Sequence, residues 1–335
     1  MKGLKAFLKF VPVFVLAGLM IFGKGHLFDG QDAMIAAPLA FLVAVVIAML
    51  VEKKKWQECL DAAMGSVSNI LVALFILMLA YVMASCFMSF GVGASVVNIA
   101  LKLGVTARTV ACVGLVCTGV LSVATGTSWG TFAACAPIFL WLSHIVGGDI
   151  YLTVCAIAGG ACFGDNIGLI SDTTIVSSGI QGVQVTDRIR HQGVWSLSCL
   201  ILAAIAFYVA ASIMGLHGTG DASTVMDNIS PEVFDFLAVE RPQALDLLDQ
   251  VANGVALYMV IPLVLVIVLA VLGVNTIACI GSGILSSYIL GIFAGTACGV
   301  QEFLDNFLFT GIEDAGAWVI PMMMWVAAFG GVMQL

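Results

Sequence analysis

The chain has 335 residues, of which 61% are hydrophobic and only 10% are charged, and its mean hydropathy is +1.14. A soluble globular domain covers its core with polar side chains, so this composition excludes that class. The formal net charge of −8 gives no reason to expect a nucleic-acid partner. The composition predicts an all-α polytopic membrane protein whose main partner is the lipid bilayer.

The hydrophobic runs, taken in chain order, predict seven membrane spans. A spanning helix needs about 20 mostly apolar residues. The first run has no A-x-A-like cleavage site before Lys24, so we interpret it as a span and not as a signal peptide. Between residues 105 and 172 the pattern is ambiguous. The predicted spans lie near residues 5–22, 34–51, 68–89, 194–215, 254–272, 276–296 and 316–334.

The placement of charged residues predicts the topology. Short loops and chain ends that are rich in Lys and Arg usually lie on the cytoplasmic side of the membrane. The connection 216–252 carries seven acidic residues and one arginine, so it is expected outside. We therefore expect an integral protein of a bacterial inner (plasma) membrane with a cytoplasmic N-terminus. The cytoplasmic basic groups are Lys2, Lys5 and Lys9, then Lys53, Lys54 and Lys55, and then Arg188 and Arg190.

An internal repeat aligns residues 3–88 with residues 253–335. Gln57-Glu58-Cys59-Leu60-Asp61 recurs as Gln301-Glu302-Phe303-Leu304-Asp305, each before a long apolar run. The charge rule places the first of these connections inside and the second outside, so the copies are predicted to be inverted. Inverted-topology repeats are typical of secondary transporters, which hold ions and substrates in discontinuous (broken or re-entrant) helices near the membrane midplane.

These observations predict the domain organisation. The first inverted repeat would occupy residues 1–215, with scaffold spans in 1–92, a broken-helix transport segment in 105–193 and a span in 194–215. An acidic extracytoplasmic connection at 216–252 would follow, and then an incomplete second repeat at 253–335.

The first predicted helix break is the segment Thr-Gly-Thr-Ser-Trp-Gly-Thr at residues 125–131. Glycine and hydroxyl side chains that bond to nearby backbone both favour leaving a helix. We expect Thr125, Thr127 and Ser128 to contribute to a binding site there. The alternative is that Gly126 and Gly130 form a small-xxx-small contact between packed helices.

The second predicted break lies between Gly164 and Thr174 and contains two aspartates. No Lys or Arg occurs between Ala111 and Asp187 to neutralise them. A carboxylate at bilayer depth costs roughly 2.5 to 3.5 kcal/mol, so such residues suggest function. Gly164 and Gly168 favour a break. Alternatively, Asp172 only caps the following helix. The predicted ligands are Asp165, Asn166, Ser171, Asp172, Thr173 and Thr174.

Oxygen ligands of this kind suit a hard cation, so we predict Na⁺ at Asp165 and Asp172. Burial disfavours the charged form of a carboxyl group, so the same site can also accept a proton. Competition between Na⁺ and H⁺ for one carboxylate would then produce exchange. No cofactor is expected, since Na⁺ and H⁺ are the transported ions.

At these two breaks the chain resembles the Na⁺/H⁺ antiporter family C, a branch of the ion transporter superfamily. The resemblance rests on the segment 125–131 followed by Gly-Asp and then Ser-Asp-Thr-Thr at 164–174. It implies Na⁺-coupled proton exchange or, in some members, exchange of small carboxylates. Many relatives have Ser-Pro-Leu where this chain has Gly168-Leu169-Ile170, which leaves the solute open.

Other functions stay open beside cation exchange. The runner-up is a Na⁺- or H⁺-coupled carrier of a small organic acid or amino acid. A non-transporting scaffold or subunit is a remote alternative, and an aspartyl protease is disfavoured because Asp165 lies in no Gly-x-Gly-Asp motif. Since the second repeat lacks a counterpart of residues 89–215, we expect either a longer natural product or assembly with another chain, as in a homo-oligomer.

Overall fold

A computed structural model describes residues 2–22, 33–125, 128–168, 171, 174, 183–219, 231–240, 242–317 and 319–335. These residues form helices joined by short connections, and no strand occurs among them. Six of the described helical stretches are long and apolar enough to cross a membrane. The prediction of an all-α polytopic membrane protein is confirmed.

The helices are numbered here in chain order. The first half contains α1 (Lys2–Phe22), α2 (Ala33–Val51), α3 (Trp56–Asn69), α4 (Leu71–Ser89), α5 (Val92–Lys102), α6 (Val110–Thr125), α7 (Ser128–Ile145) and α8 (Ile150–Ile167). The second half contains α9 (Val185–Ile213), α10 (Pro231–Glu240), α11 (Pro242–Asn253), α12 (Ile261–Val271), α13 (Thr276–Ala294), α14 (Val300–Phe303), α15 (Thr310–Ala317) and α16 (Val319–Met333). A 3₁₀ turn, Leu257–Val260, precedes α12, and a π-helical stretch, Leu304–Phe309, joins α14 to α15.

The region that was ambiguous in the sequence forms the three helices α6, α7 and α8. Each has 16 to 18 residues, which is shorter than most spans. Their glycines and hydroxyl residues lower the hydropathy that marks a span, so the hydrophobic pattern alone could not separate them.

One compact unit comprises residues 1–78 and 312–335. Within it, α1 and α2 form a hairpin, and Lys9 Nζ lies 3.1 Å from Glu52 Oε1. Helix α16 packs against α2 and α3, with the rings of Phe41 and Trp325 5.6 Å apart. Gly331 lies directly against the backbone carbonyl of Ala62, where a side chain would overlap.

The other compact unit comprises residues 79–311 and contains both predicted breaks. Its most extensive interface joins α6 to α8. Gly160 and Gly164 of α8 face α6 so closely that a Cβ atom at either position would overlap α6 backbone atoms. Ser122 Oγ donates to the Ala161 carbonyl at 2.6 Å. Thr118 Oγ1 shares its proton between carbonyls of its own helix, Gly114 at 2.7 Å and Leu115 at 3.2 Å, and the Ile157 carbonyl of α8 at 3.2 Å. Small residues and interhelical hydroxyl bonds of this kind hold helices together in lipid.

The two compact units divide the chain differently from the predicted repeats. Each unit takes residues from both repeats, since 312–335 joins the first unit and 253–311 the second. The two copies of the motif share one side-chain contact, because Gln57 and Gln301 each donate to the aspartate four residues later at 2.9 Å. The first copy lies in an α-helix, but the second runs into a π-helical stretch. The inverted relation of the repeats stays a prediction.

A polar contact holds α11 to the end of α4 within the second unit. Ser89 Oγ donates to Asp246 Oδ2 at 2.7 Å, and Gln250 Nε2 donates to the Ser89 carbonyl. Asp246 is exposed as a residue, but its carboxyl group is partly buried beside Ser89. This partial burial raises the pKa of the carboxyl, the Ser89 hydrogen bond opposes this, and the negative charges of Asp249 and Glu302 add to it. The fold therefore disfavours the ionised form of Asp246.

The α6–α8 interface predicts a sharp difference between two adjacent glycines. Gly160→Ala should lower the melting temperature of the detergent-solubilised protein by several degrees or prevent folding, because the new methyl group meets the Leu115 carbonyl and Thr118. Gly159→Ala is the matched control, since its Cβ would lie 3.5 Å from Leu115 Cδ1, an ordinary contact. Equal melting temperatures for the two variants would contradict this packing.

The raised pKa of Asp246 predicts a pH-dependent stability. A raised carboxyl pKa costs stability above the folded-state pKa, and this cost disappears as the pH falls through that value. Asp246→Asn, which can still accept the Ser89 bond, should therefore raise the melting temperature by about one or two degrees near neutral pH. The gain should shrink in acid. Asp235→Asn, on the exposed side of α10, serves as control, and a gain that grows in acid would contradict the assignment.

Candidate functional site

The ends of three helices meet at the candidate site. Thr118 of α6 contacts residue 157 of α8, and Ser122, one turn later, contacts residue 161. The residue numbers increase in the same direction on both helices, so α6 runs parallel to α8. Their C-terminal ends therefore lie on the same side. Helix α6 ends at Thr125 and α7 begins at Ser128, which brings the N-terminus of α7 to that side as well.

Asp165, in the last turn of α8, lies at the centre of this junction. Ser128 Oγ, at the start of α7, donates to Asp165 Oδ2 at 3.1 Å. Ser171 Oγ, which is fully buried, donates to Asp165 Oδ1 at 2.7 Å. Both carboxylate oxygens thus accept a hydroxyl bond, each from a different segment of the chain. The Asp165 side chain itself is only partly buried.

The chain after α8 folds back onto the end of that helix. Gly168 follows the last helical residue with an extended backbone. The last carbonyls of a helix have no partner within it. Thr174 Oγ1 shares its one proton between two of them, those of Asp165 at 3.1 Å and Asn166 at 3.3 Å. The Thr174 amide donates to Ser171 Oγ at 3.3 Å, so the backbone orients the hydroxyl that contacts the carboxylate.

The electrostatics of the helix ends suit a site that holds both a carboxylate and a cation. The N-terminus of α7 carries partial positive charge and faces the Asp165 carboxylate through Ser128. The C-termini of α6 and α8 carry partial negative charge, which favours a cation nearby. Serine and threonine hydroxyls can donate to a carboxylate or accept from, and ligate, a cation.

Helix α9 adds two residues that the sequence analysis did not assign to the site. Arg188 Nη1 donates to the Thr174 carbonyl at 3.0 Å, and Arg188 Nε donates to Gln192 Oε1 at 2.8 Å. Gln192 Nε2 donates to Asn166 Oδ1 at 3.1 Å. In the sequence, Arg188 served only to predict the membrane topology. Its spacing of four residues from Gln192 places both side chains on one face of a helix, but the sequence did not show that this face contacts α8.

The structure brings together Asp165, Asn166, Ser171, Thr174 and Ser128 of the predicted site. Thr125 ends α6. The other predicted site positions lie outside the described residues, and these are Gly126, Thr127, Asp172 and Thr173. The prediction that Asp172 binds Na⁺ together with Asp165 therefore stays a prediction.

Two of the four predicted break glycines were assigned wrongly. Gly130 lies inside α7 and Gly164 inside α8. Gly164 is needed for the close approach of α8 to Ser122 and Val123 of α6, which leaves no room for a side chain. The signal was present in the sequence, since Gly160 and Gly164 form a small-xxx-small pair of the type that packs membrane helices.

An apolar groove of about 510 Å³ adjoins the site along α6, α8 and α9. Asn166 and Gln192 form part of its lining, and most of the remainder is apolar, including Leu115, Phe163 and Leu200. A smaller pocket of about 230 Å³ between α7 and α8 reaches Ser128. The groove is large enough for a small organic molecule.

Comparison with known proteins gives one family. The family model described as Na⁺/H⁺ antiporter family matches residues 4–190 and 160–335. No solved structure matches the chain.

Several curated proteins resemble the chain. An uncharacterised Na⁺/H⁺ antiporter of Haemophilus influenzae is 29% identical over 60% of this chain and 42% of its own length. The malate-2H⁺/Na⁺-lactate antiporter of Bacillus subtilis is 27% identical over 69% of this chain and 46% of its own length. The Na⁺/H⁺ antiporter NhaC of Bacillus subtilis is 27% identical over 55% of this chain and 37% of its own length. The matches span less than half the length of these relatives.

Proposed function

The chain belongs to the Na⁺/H⁺ antiporter family, and from this membership we propose that it exchanges Na⁺ for H⁺ at a carboxylate site near the membrane midplane. The resemblance to family C that the two sequence motifs indicated is confirmed. The family is one of transporters and not of enzymes. The protein is an integral membrane protein, and we propose a bacterial inner membrane with the N-terminus in the cytoplasm.

The observation that carries this proposal is the arrangement around Asp165. The Asp165 carboxylate accepts one hydrogen bond from Ser128, at the start of α7, and one from Ser171, which follows the end of α8. When a cation binds, both hydroxyls can rotate and direct lone pairs at it, while the carboxylate supplies the negative charge. Ligands made only of oxygen, without thiolate or imidazole, favour a hard cation such as Na⁺.

The exchange step follows from the chemistry of a single carboxylate. Na⁺ requires the ionised form of Asp165, whereas a proton neutralises it. Because the two occupants exclude each other, a site that faces alternate sides of the membrane would carry Na⁺ one way and H⁺ the other. Asp172, which the sequence places in the same segment, is proposed as a second ligand.

A second candidate function is the coupled transport of a small carboxylate. A relative is a malate-2H⁺/Na⁺-lactate antiporter, and the apolar groove adjoins the amides of Asn166 and Gln192. Arg188, one helical turn before Gln192, has the planar guanidinium group that recognises carboxylates. Flux of radiolabelled malate and lactate in proteoliposomes, measured beside Na⁺-dependent proton flux, separates the two candidates.

Asp165→Asn tests the proposed site directly. The variant should fold, since the asparagine oxygen can accept one hydroxyl bond and its NH₂ group can donate to the other hydroxyl once that hydroxyl rotates. Na⁺-dependent proton flux in proteoliposomes should fall at least about tenfold. Loss of a residue that only orients a metal ligand already has an effect of about this size, and Asp165 is the proposed ligand itself. Asp187→Asn, which removes an exposed carboxylate at the start of α9, should retain exchange. Full exchange in a well-folded Asp165→Asn protein would sink the proposal.

The competition between ions makes a prediction for wild-type protein. As the pH falls, the Na⁺ concentration for half-maximal transport should rise, because protons occupy the carboxylate. The rise should approach about tenfold per pH unit once the site is mostly protonated. Proteoliposome flux titrated with Na⁺ between mildly acidic and alkaline pH measures this. A half-saturating Na⁺ concentration that does not change with pH would count against a shared carboxylate.

A further inference from the structure

Arg188 connects α9 to the two polypeptide segments that surround Asp165. Its guanidinium group donates to the Thr174 carbonyl at 3.0 Å and to Gln192 Oε1 at 2.8 Å. Gln192 in turn donates to Asn166 Oδ1 at 3.1 Å. One side chain of α9 therefore bonds directly to the segment after α8 and, through Gln192, to the last turn of α8 itself.

The first branch leads from Arg188 to the carboxylate. Residue 174, whose carbonyl accepts from Arg188, directs its own amide at Ser171 Oγ. A hydroxyl has one proton to donate. The Ser171 oxygen accepts from this amide, and its proton is donated to Asp165 Oδ1, 2.7 Å away. Arg188 is thus linked through Thr174 to the hydroxyl group that contacts the carboxylate.

The second branch fixes Asn166, which follows Asp165. With its Oδ1 accepting from Gln192, the amide cannot rotate freely, and Thr174 Oγ1 holds the Asn166 carbonyl at 3.3 Å. The last turn of α8 is thereby held through both the side chain and the backbone carbonyl of Asn166. The two branches meet around the same carboxylate.

We propose that Arg188 and Gln192 are positioning residues of the ion site, which set its affinity for Na⁺ without ligating the ion. This inference rests on the proposed function of Asp165. Partners that orient metal ligands commonly change affinity 10- to 100-fold when they are removed. Arginine suits the role because its planar fork donates in two directions at once, which the single ammonium group of lysine does less well.

The neighbouring Arg190 provides a matched control. Two residues are about 200° apart around a helix, so Arg190 points away from the side that Arg188 presents. Arg190 is exposed, whereas Arg188 is partly buried. Replacing either residue removes one positive charge from the same turn of α9, so a difference between the variants reports position and not net charge.

The experiment compares Arg188→Gln, Arg188→Lys, Gln192→Leu and Arg190→Gln in the full chain. Na⁺-dependent proton flux in proteoliposomes gives the half-saturating Na⁺ concentration and the maximal rate, and calorimetry gives Na⁺ binding in detergent. Arg188→Gln should raise the half-saturating Na⁺ concentration about tenfold. Arg190→Gln should leave it unchanged, and Arg188→Lys should fall between. Gln192→Leu, a milder change, should weaken Na⁺ binding even if Arg188→Gln fails to fold.

A double-mutant cycle distinguishes positioning from a general structural role. If Arg188 acts through Ser171, then Arg188→Gln should weaken Na⁺ binding much less in a Ser171→Ala background than in the wild type. Full additivity, or equal effects at Arg188 and Arg190, would overturn the positioning role while leaving Asp165 as the ion site. Wild-type protein without any Na⁺ binding or flux would instead overturn the proposed function, and the positioning role with it.

Discussion

The candidate site depends on the close approach of α6 and α8. Lipid offers no hydrophobic driving force between helices, so contact has to come from packing and hydrogen bonds. Gly160 and Gly164 let the two backbones approach, and the Thr118 and Ser122 hydroxyls bond to the α8 backbone across the interface. This interface fixes the height of α8 relative to α6. It thereby places Asp165, one residue after Gly164, beside the point where α7 begins.

The helix ends explain how a carboxylate can exist there. An isolated charge in an apolar surrounding is very costly, and hydrogen bonds and opposite charge reduce this cost. Ser128 and Ser171 donate to the two oxygens of Asp165, and the N-terminus of α7 adds partial positive charge. If a cation bound here, the two hydroxyl groups would rotate, and the same serine and carboxylate oxygens would face the cation.

Arg188 changes the interpretation of the charges along the chain. The sequence contains no Lys or Arg between Ala111 and Asp187, and this suggested aspartates without a nearby positive charge. In the folded chain α9 returns to the end of α8, and Arg188 bonds to Thr174 close to Asp165. Separation along the chain thus gave a poor measure of the electrostatic environment, because the first turns of α9 lie beside the end of α8 in the folded chain.

The sequence by itself determined the membrane class and the family, because hydropathy, Ser-Asp-Thr-Thr and the 125–131 motif are local properties of the chain. It also predicted an ion site with Asp165, Ser128 and Ser171, three residues that the structure brings together. Only the tertiary structure decided that Gly164 packs against α6 and does not break α8, and that Arg188 and Gln192 are hydrogen-bonded to Thr174 and Asn166. Which face of a helix meets another depends on interhelical packing, and the composition of one helix does not specify its partner.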